Sequence, residues 1–216
     1  MGGTAQGVQA LVRTPVGCED RGVDTRPEAD GYVLVPTGIG VCAVAWRGDT
    51  VVAVALPEAD AEATARRIRR SVDGPAVAAE PPEPVAAAVR DVVALLEGEP
   101  VDLRGVEVDV AHRSDFERRV FAVVRSIPPG ETLTYGEVAA RVGEPGGAQA
   151  VGRAMGSNPV PIIVPCHRVV GADGRPVGFS APGGTATKQR ILRIEGAAAG
   201  GQPTLFDPPP GAPTGP

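Results

Sequence analysis

Three short apolar runs open the patterned part of the chain. They are Tyr32-Val33-Leu34-Val35-Pro36, Val41-Cys42-Ala43-Val44-Ala45-Trp46 and residues 51–56. Thr37-Gly38-Ile39-Gly40 and Arg47-Gly48-Asp49 separate them, so they read as three strands joined by turns. Residues 58–71 then read as a helix with a heavily charged face carrying Arg66, Arg67, Arg69 and Arg70. That face is a solvated helix surface or, as the alternative, a nucleic-acid patch. A Pro-rich linker over residues 80–84 leads to a second helix at 85–96, which Gly98 and Pro100 stop. Residues 101–113 are a long connection with a short strand at 106–110.

Beyond residue 113 the pattern turns helical. Ser114 with Glu117 three residues on is a capping box. Phe116, Val120, Phe121, Val123 and Val124 then form one apolar face, which Pro128-Pro129-Gly130 ends. Thr134 and Glu137 repeat the capping pattern for a helix running to about Val142. Residues 143–147 form a turn, and the small residues from Ala148 to Met155 a further short helix. Two short helices joined by a Gly-containing turn are a helix-turn-helix signature. The apolar run Val160-Pro161-Ile162-Ile163-Val164 reads as a buried, rigid strand that carries Pro165-Cys166-His167-Arg168-Val169 at its end.

Residues 1–30 and 197–216 show no periodicity and are rich in Gly and Pro, as expected of flexible ends. The expected organisation is a lead over 1–30, an α/β unit with its linker over 31–113, a second unit over 114–196 and a tail over 197–216. The 43% apolar content suffices for a core, but at 3% aromatic residues Val, Ala and Leu must fill it. No apolar run approaches the roughly 18 residues of a membrane span. Residues 1–13 lack a basic segment followed by a long apolar stretch, so a cytoplasmic protein is expected. The net charge of −5 is unevenly distributed: residues 115–196 carry 10 Lys and Arg against 7 Asp and Glu, and the remainder carries 11 against 19. A mildly basic half fits a small footprint on DNA and not a long electrostatic track.

The chain has three cysteines, Cys18, Cys42 and Cys166. They form neither a CxxC pair nor an even disulfide framework. The spacing of Cys18, Cys42 and His112 matches no zinc pattern, so no metal is expected. Cys166 has a histidine beside it. A thiol is a strong nucleophile only as thiolate, and at a pKa of ~8.5 it is mostly protonated at neutral pH. A neighbouring imidazole can take that proton, directly or through water.

The stretch from Asn158 to Val170 closely resembles the active-site segment of the methylated-DNA–protein-cysteine methyltransferases, and the likeness extends over residues 116–196 and more loosely back to residue 31. The resemblance implies an α/β N-terminal domain plus a mostly α C-terminal, winged helix-turn-helix-like domain. It implies repair of 6-O-alkylguanine in double-stranded DNA by a single transfer of the alkyl group to Cys166, without a cofactor. His167 would take the thiol proton, Glu195 in the ending Ile194-Glu195-Gly196 would hold that histidine, and Asn158 would brace the active-site loop. Tyr135 would crowd the target phosphate and donate a hydrogen bond to the flipped purine. Phe179 and Ser180 fall in the loop that closes over the base, and Arg168 is assigned with them to the substrate and DNA contacts. Some family members bind structural zinc near the N-terminus, but the ligand spacing for it is missing here.

One position departs from the family. An arginine normally enters the base stack from the recognition helix, and Gln149 occupies that place here. Glutamine is shorter and neutral and makes no cation–π contact, though it still hydrogen-bonds. Arg153, one turn further along the helix, is available for phosphate. The loop from residue 178 to 187 also runs about two residues longer than in compact members. The rival reading is a non-catalytic binder of alkylated DNA, but such proteins replace the cysteine that this chain keeps. In the tail, Gln202-Pro203-Thr204-Leu205-Phe206 resembles the peptides by which bacterial repair and replication proteins dock on the DNA sliding clamp. A monomer is expected otherwise.

Overall fold

A computed structural model describes residues 26–197. Residues 1–25 of the expected lead, Cys18 and the peptide at 202–206 lie outside the described residues; residues 26–30 belong to the folded unit instead, with Ala29 buried and the Asp30 amide donating to the Trp46 carbonyl at 2.8 Å. The first unit is a four-stranded mixed sheet in the order β3-β2-β1-β4. Strands β1 (Gly31–Thr37), β2 (Gly40–Arg47) and β3 (Thr50–Ala55) form an antiparallel meander, and the two-residue β4 (Val77–Ala78) pairs parallel to β1. Gly40, at φ 127°, closes the β1–β2 turn in a conformation that favours glycine.

Alternation along β2 sorts its residues onto two faces. Ala43 and Ala45 pack with Ala65 and Ile68 of α1 (Ala61–Ser71). Cys42, Val44 and Trp46 face the other way, towards α2 (Glu83–Leu96). Small residues on the first face let α1 lie close to the sheet. The second face opens into a core that continues through Val120, Phe121 and Val124 to Ile191. The two halves of the chain thus share one hydrophobic interior.

Several boundaries differ from the sequence reading for local reasons. Helix α1 starts at Ala61 because the Asp60 side chain accepts from the Ala63 amide at 2.7 Å, which makes it the N-cap. Helix α2 starts at Glu83, before the expected residue 85, because proline is tolerated in a first helical turn. Residues 106–110 form no strand; Val108 makes an isolated bridge to Val51 after a 3-10 turn at Leu103–Gly105. The arginines of α1 are a self-paired, solvated face: Arg67 holds Glu58 at 3.0 Å and Arg69 holds Glu62 at 3.0 Å.

The second half contains α3 (Asp115–Arg125), β5 (Leu133–Thr134), α4 (Tyr135–Arg141), α5 (Ala148–Gly156), β6 (Val169–Val170) and α6 (Gly184–Ile194). Both expected capping boxes are formed, at Ser114/Glu117 and at Thr134/Glu137. Two links tie this half to the sheet. The Val54 amide of β3 donates to the Pro159 carbonyl at 2.8 Å, and Arg190 of α6 donates to the Gly38 carbonyl in the β1–β2 turn.

The run at residues 160–164 is not the expected strand. It is a buried turn in which the Val164 amide donates to the Val160 carbonyl at 2.9 Å. Prolines at 159, 161 and 165 lack amide donors, which disfavours a ladder there. Within it Ile162, 1% exposed, adopts φ 76°. A β-branched residue is rare in that region and costs of order 1–3 kcal/mol, which the surrounding packing must offset.

Candidate active site

Cys166 opens a 3-10 turn, Cys166–Arg168, that follows directly on this buried turn. Asn158 holds the two turns together. Its Nδ2 donates to the Val164 carbonyl at 2.9 Å, and its Oδ1 accepts from the Val160 amide at 3.1 Å. On the far side of the turn, β6 pairs with β5, matching Leu133 to Val169 and Thr134 to Val170. The β5 residue Thr134 is also the N-cap of α4, so one short ladder fixes Tyr135 relative to Cys166.

Cys166 is 6% exposed and lies in the wall of an apolar cavity of about 750 Å³. Tyr135, Gln149, Gly152, Met155, Phe179 and Ser180 contribute to the same cavity. Gln149, Gly152 and Gly156 follow one another on the face of α5 that borders it. Arg153 is exposed on the same helix, outside the cavity lining. The Tyr135 hydroxyl donates towards the carbonyls of Val177 and Gly178, at 3.2 and 3.3 Å. Gly178 has φ 53°, and a Cβ there would lie 3.6 Å from that hydroxyl, so the loop backbone passes close to the tyrosine.

Behind the cysteine lies a buried ionic cluster. The His167 and Glu195 side chains are both 0% exposed, with Nε2 and Oε1 2.9 Å apart. Arg168 grips the same carboxylate with two bonds, Nε to Oε2 at 2.9 Å and Nη2 to Oε1 at 2.8 Å, and its Nη1 donates to the Ile127 carbonyl at 2.6 Å. Arg168 was expected among the DNA contacts. It is 5% exposed and engaged by Glu195 and Ile127, so it is an internal clamp instead. Bidentate pairing of this kind is how a buried carboxylate keeps its charge.

The electrostatics follow from this arrangement. Burial alone would raise the Glu195 pKa, but hydrogen bonds from His167 and Arg168 outweigh it and hold the carboxyl at about 2. Burial pushes His167 below its ordinary value, opposed by Glu195 and assisted by the cations Arg168 and Lys188. A neutral imidazole bonded through Nε2 to a carboxylate carries its proton on Nε2. Nδ1 is then the acceptor, and among the described residues that buried atom has no hydrogen-bond partner. Burial also raises the Cys166 thiol; a hydrogen bond from Asn158, the charge of Lys188 and backbone amides work the other way. The resting pair is therefore a thiol beside a neutral base.

Lys188 is the residue that sequence reasoning missed. Fully buried, its Nζ donates to the carbonyls of Val169 at 2.5 Å and Val177 at 3.0 Å and sits 5.5 Å from the Tyr135 ring centre. Burial draws its pKa down to about 8, against the pull of Cys166. Helical spacing was the available signal, because residues 188, 191, 192 and 195 share one face. Among the described residues no group of three or more His, Cys, Asp and Glu is placed to hold a metal ion.

Residues 115–197 match the family described as 6-O-methylguanine DNA methyltransferase, DNA binding domain. A methylated-DNA–protein-cysteine methyltransferase of Mycolicibacterium paratuberculosis is 44% identical over 128 residues, covering 59% of this chain and 75% of that protein. One from Mycobacterium bovis is 47% identical over 107 residues, but the match spans only 59% of its length and 50% of this chain. The crystal structure of Mycobacterium tuberculosis OGT in complex with DNA superposes with a TM-score of 0.62 at 34% identity, covering 77% of this chain and 92% of that one.

Proposed function

The chain belongs to the methylated-DNA–protein-cysteine methyltransferase family, and on that premise we propose that it repairs 6-O-alkylguanine in DNA by moving the alkyl group, once per molecule, onto Cys166. The observation that carries this reading is a buried thiol in the wall of an apolar cavity, followed by a neutral histidine whose Nδ1 is open. The Cys166 proton passes to His167 Nδ1, directly or across one water, and Glu195 stabilises the imidazolium. The sulfur lone pair forms the S–C bond, the C–O6 bond breaks, and its electron pair stays with guanine. The proton lost by the thiol is balanced by the one guanine gains. The thioether is stable, so the protein is consumed.

The target base is buried in a duplex and must be flipped into the cavity. Helices α4 and α5 serve as a winged helix-turn-helix-like module, with α5 in the groove. The exposed Gln149 stands where the flipped base leaves its gap, and Arg153 meets phosphate. Tyr135 supplies a hydrogen bond to the purine once the base displaces the loop carbonyls that hold its hydroxyl. Lys188 stabilises the thiolate as it forms. The protein acts as a monomer, and residues 202–206 dock it on the sliding clamp.

Two measurements test these roles. The acid limb of the transfer rate reports His167. Because burial lowers the pKa of that imidazole, the base stays available as pH drops through 6.5, the ordinary value. Single-turnover rates between about pH 5 and 8 are expected to stay level through that point and fall only below it. A fall centred above it would mean that His167 is not the base. Separately, Gln149→Arg is expected to raise the rate on duplex DNA several-fold but leave the rate on the free modified base unchanged, since a gap in the stack exists only in the duplex. An equal gain on both would contradict the assigned role.

A further inference from the structure

Asn158, which ties the Cys166 turn to the turn before it, is itself held from both sides. After it, the Pro159 carbonyl accepts from the Val54 amide of β3 at 2.8 Å. Before it, the Ser157 hydroxyl donates to Glu117 Oε1 of α3 at 2.5 Å, a contact between residues 40 positions apart. Such a short distance is characteristic of a hydroxyl bonded to a charged carboxylate. The same hydroxyl lies 3.0 Å from the Ala154 carbonyl. It has one proton to give, and that carbonyl already accepts from the Ser157 amide at 3.2 Å. The carboxylate is therefore the partner that takes it.

The capping box of α3 does not account for this contact. The box uses Glu117 Oε2, which accepts from the Ser114 amide at 3.0 Å and from its hydroxyl at 2.9 Å. Oε1 is left over and reaches the end of α5, with Arg113 Nη1 as a more distant neighbour at 4.0 Å. Burial works against the charge of this half-buried group, but bonds from Ser157 and Ser114 outweigh it and keep the carboxyl below its ordinary pKa. At neutral pH Glu117 is thus an ionised anchor that only accepts.

We propose that Glu117 is a positioning residue for the transfer: through its bond to Ser157 it fixes the end of α5, and with it the place of Asn158 relative to the Cys166 turn. The proposal rests on the transfer reaction described above. Asn158 bonds the Val160 amide and the Val164 carbonyl, and its side chain also favours the Cys166 thiolate against burial. Glu117 touches neither the sulfur nor the base. It acts on them by holding Ser157, the residue next to Asn158. Without that hold Asn158 shifts from the sulfur, the thiolate loses a donor, and less of it forms at a given pH.

The test uses the full-length protein and separates this link from the helix cap that shares its carboxylate. Two readouts are followed: methyl transfer from a 6-O-methylguanine duplex, and the pH dependence of Cys166 capture by iodoacetamide, measured by mass on the Cys166 peptide. Ser157→Ala removes the link and keeps the cap. It is expected to slow transfer about tenfold and to move capture to higher pH. Ser114→Ala weakens the cap and keeps the link, so it is expected to lower the melting temperature and leave both readouts at their wild-type values. Glu117→Gln is expected to restore what Glu117→Ala loses, because an amide offers an oxygen to the Ser114 amide and a donor to the Ser157 hydroxyl. Adding Ser157→Ala to Glu117→Ala should change neither readout further, since the two residues form one link. A Ser157→Ala protein with the wild-type rate, or one that is slower with an unmoved capture profile, would overturn the positioning role and leave the transfer reaction standing. Absence of methyl transfer by the wild-type protein would overturn both.

Discussion

Glu195→Ala is expected to cost about 3–5 kcal/mol of stability and to slow alkyl transfer by at least roughly a hundredfold. The stability loss comes from Arg168. Its guanidinium makes two bonds to the Glu195 carboxylate in a site where it is 5% exposed, and without that partner the cation is buried uncompensated. The rate loss comes from His167, whose Nε2–H loses the acceptor that fixes its tautomer and steadies the imidazolium. Glu195→Gln separates the two effects. A glutamine oxygen still accepts from Nε2, so more of the rate should survive, whereas Arg168 remains unneutralised and the stability loss should persist. The pH dependence gives the sign. The carboxyl is held at about 2 in the folded protein, against about 4.3 in an unfolded chain. Its contribution is complete above the unfolded value and is lost as pH falls through the folded one. The gap between wild type and variant in denaturant midpoints should therefore shrink on acidification from about pH 4 towards 2. A gap independent of pH over that window would mean that the carboxylate charge is not what stabilises the cluster.

Lys188→Met is expected to have the opposite profile, with little change in stability and a fall in transfer rate of roughly ten- to a hundredfold. Two contributions to stability oppose each other. The substitution removes a cation whose burial is costly enough to draw its pKa to about 8. It also leaves the Val169 and Val177 carbonyls without their donor, at about 1–3 kcal/mol for each buried acceptor. The rate falls because the thiolate forming at Cys166 loses the cation that favours it. Lys188 is itself neutral above about pH 8, so wild-type and variant rates should converge as pH rises past that value. A constant ratio across that pH would show that Lys188 acts by packing and not by charge.

Much of the candidate site is legible in the sequence. Two capping boxes announced α3 and α4, and the second positions Tyr135. The Cys-His pair stood out because its chemistry is local to two adjacent residues, whereas Glu195 was implied only by the family resemblance. What failed, failed where neighbours in space decide. An apolar run such as residues 160–164 is equally a strand or a buried turn, and only its prolines hint at the turn. Arg168 looked like a surface cation because arginine usually is one, and the groups that bury it, Glu195 and the Ile127 carbonyl, are distant in sequence. Lys188 was passed over for the same reason. A helical projection of α6 would have set it on the Glu195 face, but the carbonyls that justify a buried lysine come from β6 and the loop after it. Asp60 shows the smaller error: it caps α1 at Ala61, so the helix starts three residues later than the expected residue 58 without changing the fold.

The most direct test of the reaction is the intact mass of the protein after incubation with excess duplex containing 6-O-methylguanine, followed by fragmentation to locate the change. The expected result is a gain of one methyl mass per chain, complete and then constant, located on Cys166 and absent from Cys166→Ala, which still binds the duplex. A methyl group on Cys18 or Cys42, or an unchanged mass in a protein that binds the lesion, would contradict transfer to Cys166.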